Sequence, residues 1–205
     1  VAEAGTYPLM VFNPKTTAEK QIIECELSII PTENYLEKRS YIEVYDENGN
    51  KLKAQTVKEA SNISIDWRKK VLFEATPAAM AITRYTAKTV VLPVKKYEEV
   101  TKDIVFDNGE KRVVIGAESG LIESYVVHGK EYAKGSLFVP EMYDDTPDPW
   151  GMNEPYVGHN PAIIPLLKKP DGVFDGMKSV QIIEDGAIYL GVEAFFGLGL
   201  TRVRL

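Results

Sequence analysis

From Ile22 to Ile30 the chain alternates with a period of two. Ile23, Cys25, Leu27 and Ile29 fall on one side, and Glu24, Glu26 and Ser28 on the other. A strand places successive side chains on opposite faces, whereas a helix needs apolar residues three and four apart, so this segment predicts a half-buried β-strand.

The same period recurs through the first half of the chain. Tyr41–Tyr45 and Lys51–Gln55 flank Asp46-Glu47-Asn48-Gly49-Asn50, where Asn-Gly favours positive φ, and this predicts a hairpin. Ile63, Ile65 and Trp67 alternate, as do Val71, Phe73 and Ala75. Pro77 marks a break, and a β-branched stretch runs from Ile82 to Leu92 before Pro93. Six or seven short strands in this half predict a small antiparallel sandwich over residues 1–96.

The polar, charged run Lys95–Lys102 is the expected boundary to a second region, 97–205. There, Ile104–Phe106 and Arg112–Ile115 flank Asp107-Asn108-Gly109, another hairpin signal, and Gly120–Val127 reads as a strand. Prolines 140, 147, 149, 155, 161, 165 and 170 then predict a long ordered loop over Pro140–Asp175, since each removes a backbone donor and fixes φ. Loops of such length are usually functional or interfacial. Strands are expected again at Lys178–Glu184 and Ile188–Phe196, with another at Arg204-Leu205. No amphipathic helix and no internal repeat is apparent. The expected class is all-β, and a chain that opens at Val1 without a Met and stops in a strand is expected of a segment cut from a longer protein.

Charge bears on partners. A net charge of −6, with basic residues interspersed among acidic ones, argues against nucleic acid, which needs a surplus of Lys and Arg facing phosphates. No apolar run approaches the roughly 20 residues of a membrane helix. Val1–Gly5 has no signal-peptide pattern, and Cys25 is the only cysteine; both fit a soluble cytoplasmic protein.

Candidate chemistry concentrates in Glu141–Glu154. Asp144, Asp145 and Asp148 beside Trp150 could bind a sugar, the indole stacking on the C–H side of the ring and the carboxylates accepting from hydroxyls. The competing reading is a solvated loop pinned by a buried Trp; a glycosidase carboxyl pair is a further, nonspecific one. His128 and His159 lack zinc-ligand spacing and are expected to be surface or structural histidines. Gly197-Leu198-Gly199-Leu200-Thr201 lacks the third glycine and the βαβ setting of a dinucleotide site. No Gly-x-Ser-x-Gly elbow occurs, and Ser119-Gly120 reads as an ordinary turn. No catalytic and no metal-binding residue is assigned in this chain.

Several stretches, in order, resemble the region after the catalytic domain of glycoside hydrolase family 38, the α-mannosidases. Val11-Phe12-Asn13-Pro14 resembles the opening of that family's first β domain, and Tyr41–Gln55 its next hairpin, ending in Ala54-Gln55. Leu72–Tyr85 is similar to a further segment, with Ala81 standing where the family has Gly and one extra residue. Gly120-Leu121-Ile122-Glu123-Ser124 resembles the strand that opens the larger sandwich. Asp144–Gly151 looks like the family's Asp-Asp…Trp loop in a shorter form, and Glu184-Asp185-Gly186-Ala187-Ile188 like a turn of Glu-x-Gly type.

The resemblance implies a small β-sandwich followed by the start of a larger, galactose-mutarotase-like one. It implies zinc and the nucleophilic Asp in a catalytic domain that precedes this segment. The β region would scaffold that domain of the same polypeptide and lend the loop with Asp144, Asp145, Asp148 and Trp150 to the α-mannoside cleft. The isolated chain is expected to be inactive. A stand-alone carbohydrate-binding or structural β-sandwich module is the alternative.

Overall fold

A computed structural model describes residues 4–30, 37–57, 67–94, 96–143 and 161–205. The expected all-β class is borne out. Among the described residues the chain is built from antiparallel strands, with a single 3-10 turn at Gly172–Phe174. It divides into two units, Val1–Lys96 with Ile183–Gly191, and Tyr97–Ile182 with Val192–Leu205.

The first unit carries β1 (Thr6–Asn13), β2 (Gln21–Ser28), β3 (Lys38–Tyr45), β4 (Ala54–Val57), β5 (Arg68–Ala75) and β6 (Ala81–Pro93). They form two three-stranded sheets, ordered β1-β6-β3 and β2-β5-β4. Alternation decides which residues meet inside. Leu9, Ile42, Val44, Val71, Phe73, Ala75, Tyr85 and Ala87 are buried in one core, with Ile23, Cys25 and Leu27 packed against it. Phe73 meets Tyr85 edge-on at 5.3 Å, the ring arrangement that aromatic quadrupoles favour. On the other face of the β2-β5-β4 sheet, Glu24 pairs with Lys70 at 2.7 Å and Glu26 with Arg68 at 3.0 Å. The polar half of the alternation is thus a solvated ladder of opposite charges.

The Asp46–Asn50 turn forms as expected, but it does not open a continuing hairpin. Gly49 takes φ +83°, and Tyr45 bridges Lys51. Beyond that bridge β3 pairs with β6 while β4 pairs with β5. The chain crosses between sheets here, and Leu52 packs against the shared core. Of the expected Ile63-Ile65-Trp67 alternation, only Trp67 lies within the described residues; its carbonyl accepts from the Ile29 N–H at 2.6 Å.

The second unit begins with β7 (Glu98–Glu99), followed by the hairpin β8 (Ile104–Asp107) and β9 (Lys111–Ile115). Next come β10 (Ile122–Val127), β11 (Lys130–Glu131), β12 (Glu141–Met142) and β13 (Ala162–Ile163). The last three are β14 (Val180–Asp185), β15 (Leu190–Leu198) and β16 (Thr201–Arg204). Sheets run β11-β10-β9-β8, β12-β13 and β16-β15-β14-β7, and Ile183–Gly191, the tip of the β14–β15 hairpin, belongs to the first unit. Val100, Ile164, Val180, Ala194 and Phe196 form this unit's core.

Glycines fix the tight places. Gly120 takes φ +68°, and a Cβ there would sit 2.6 Å from Ala194 Cβ, so only glycine fits. The glycine-rich segment read above as no dinucleotide site ends β15 and turns into β16, with Leu198 opposite Thr201 and Gly199 at φ +56°. His128 and Gly129 turn β10 into β11 at φ 47° and 76°, the positive pair that a two-residue hairpin loop requires. No helix among the described residues is long and apolar enough to cross a membrane.

Candidate functional site

Asp144, Asp145, Asp148 and Trp150 all lie in 144–160, outside the described residues, as does His159. The structure does describe how the two ends of that loop are held. β12 pairs with β13, Glu141 facing Ile163 and Met142 facing Ala162, and the Ile164 N–H donates to the Pro140 carbonyl at 2.9 Å. Ile164 is buried in the second core and anchors this base. The Tyr143 hydroxyl donates to Glu141 at 2.7 Å, a bond that pushes the Tyr143 pKa up.

A cleft of about 460 Å³ opens on the outer face of the β1-β6-β3 sheet, within the size range of small-molecule sites. Alternation supplies its floor. Thr6 and Pro8 of β1 lie beside Arg84, Thr86 and Lys88 of β6, and Tyr45, Asp46, Glu47 and Gly49 form one wall. Thr86 stands between Pro8 and Tyr45 in register, and Lys88 between Thr6 and Glu43.

The cleft's charges are unevenly used. Asp46 is turned into its own loop, where it accepts from Asn48 N at 2.9 Å, Asn50 N at 2.8 Å and Asn50 Nδ2 at 2.9 Å. Those bonds, the Asn50 side chain first, hold its pKa below the usual value. Beside the cleft, Glu43 accepts from Lys51 Nζ and from the Tyr45 hydroxyl, each at 2.6 Å, and both lower its pKa. The Lys88 ammonium lies over the Tyr45 ring, 5.1 Å from its centre. Arg84 has no ion-pair partner among the described residues.

Sequence reading passed over these residues because Ile82–Leu92 stood out as β-branched. The signal was the i, i+2, i+4 set Arg84, Thr86 and Lys88 on one strand face.

A second constellation is structural. The Gln55 side chain donates from Nε2 to the Tyr189 carbonyl at 2.8 Å, and its Oε1 accepts from Ile188 N at 3.1 Å and Tyr189 N at 2.9 Å. Gly186 lies against the same amide, where a Cβ would overlap it. Asn13, 3% exposed, is likewise satisfied: Nδ2 donates to the Thr17 and Pro77 carbonyls at 3.0 and 3.1 Å, and Oδ1 accepts from Lys15 N at 3.0 Å.

Neither the models of known protein families nor the curated proteins match this chain. Among the described residues no three His, Cys, Asp or Glu side chains gather as a metal would need, so they offer no donor set that fits the zinc the family resemblance implies.

Proposed function

We propose that this chain is the non-catalytic β region of a cytoplasmic, zinc-dependent, retaining α-mannosidase of glycoside hydrolase family 38. Hydrolysis then belongs to a catalytic domain of the same polypeptide, which carries the zinc. The β region scaffolds that domain and contributes Asp144, Asp145, Asp148 and Trp150 to the wall of the carbohydrate cleft.

One observation supports this reading above the others. Four of the stretches that resemble the family each contain a residue the fold cannot readily exchange: Asn13, Gln55, Gly120 and Gly186. Two of those stretches, Ala54-Gln55 and Glu184–Ile188, meet through the Gln55 amide.

The reading frame upstream of Val1 tests the proposal. A domain there with Asp and His zinc ligands is the expected finding, and a frame that opens without one would overturn it.

A further inference from the structure

We propose that the cleft on the β1-β6-β3 sheet binds a small phosphate monoester carried on a hydroxylated body, such as a sugar phosphate. None of its lining residues comes from the Asp144–Trp150 loop, and the proposal does not depend on the α-mannosidase reading.

Charge in the cleft is the first argument. Arg84 and Lys88 flank Thr86 on one face of β6, about 13 Å apart along the strand, a span two long side chains close by leaning inward. Lys88 does lean that way, since its ammonium sits over Tyr45, the residue opposite Thr86. Of the three carboxylates near these cations, Asp46, Glu43 and Glu47, the first two already have other partners. Asp46 is bound into its turn, and Glu43 is occupied by Lys51 and the Tyr45 hydroxyl. The planar Arg84 fork matches two phosphate oxygens, and the Thr86 hydroxyl supplies a donor between the cations.

The second argument concerns the rest of the ligand. Glu47 lines the same cleft and provides an acceptor for hydroxyls, while Pro8 offers an apolar surface for a C–H face. Inorganic phosphate would use only the cationic half of the cleft, and a neutral sugar only the other half.

Titration of the full chain, followed by amide chemical shifts, tests this with three probes: glucose 6-phosphate, inorganic phosphate and glucose. Glucose 6-phosphate is expected to give saturable shifts around Thr86 and Lys88, with phosphate weaker and glucose weakest. Arg84→Gln and Lys88→Gln, both at exposed positions, should keep the native spectrum and each weaken binding roughly tenfold or more. Absence of saturable shifts with both phosphate probes would overturn the proposal. So would unchanged affinity in the Arg84→Gln, Lys88→Gln double variant, or glucose binding as tightly as its phosphate.

Discussion

Gln55 grips Tyr189 through both of its backbone polar groups, donating to its carbonyl at 2.8 Å and accepting from its N–H at 2.9 Å. The amide thus does for the tip of the β14–β15 hairpin what a neighbouring strand would do. Gln55 is only 8% exposed, so an unpaired backbone group left behind would be poorly hydrated. Gln55→Ala should therefore destabilise the first unit by about 2 kcal/mol, read as a fall in the urea midpoint.

Gly186→Ala should produce much the same loss by another route, because the new methyl displaces the Gln55 amide and breaks the same three bonds. The two substitutions act on one object, so the double variant should lose clearly less than the sum of the singles. A double-mutant cycle with coupling of about 1 kcal/mol or more checks this; additive losses would mean the contact is not shared.

Which parts of this fold could be read from sequence follows from the range of the interactions. The face of each strand is local information, and Ile23, Cys25 and Leu27 point inward as their alternation predicted. The Asn48-Gly49 turn was equally local, yet the choice of different partners by β3 and β4 depends on where β5 and β6 lie. Gln55 and Tyr189 are 134 positions apart, and nothing near either residue announces the other. The cleft was hidden for a related reason: Thr86 gains meaning only from Pro8 and Tyr45, which register brings to its two sides.

Core packing gives a second expectation. Phe73 is fully buried and touches Tyr85 edge-on. Phe73→Ala should cost about 3–5 kcal/mol in the first unit, through lost burial and the cavity left behind. Thermal unfolding followed by near-ultraviolet circular dichroism would register both the loss and the loosened tyrosine.

Two glycines separate backbone strain from crowding. Both take positive φ, but Gly49 faces open space whereas Gly120 faces Ala194 and Leu166. Gly49→Ala should cost about 1 kcal/mol from strain alone. Gly120→Ala adds overpacking to that strain and should cost about 2–4 kcal/mol. Comparison of the two midpoint shifts decides the point, and equal shifts would contradict the packing around Gly120.

Glu131 supplies the pH dependence. Its carboxylate accepts from Ser124 Oγ at 2.5 Å and from the backbone N–H groups of Tyr125 and Ala133, both at 2.8 Å. These bonds, Ser124 first, lower its pKa from 4.5 to about 2. A depressed carboxyl stabilises the fold above its unfolded pKa and loses that contribution as pH falls through the folded value. The second unit should weaken between about pH 4.5 and pH 2, and Glu131→Gln should remove that part of the acid dependence. Carbon-13 titration of the Glu131 carboxyl should place its midpoint near 2; a midpoint near 4.5 would contradict the bonding described.

Turnover of an aryl α-mannoside, measured side by side for this 205-residue chain and for the polypeptide of the complete reading frame, is the most direct test of the central claim. Zinc-dependent hydrolysis with retention by the complete polypeptide, and none by this chain, is the predicted result. Hydrolysis by this chain alone, or no α-mannosidase activity in the complete polypeptide, would contradict it.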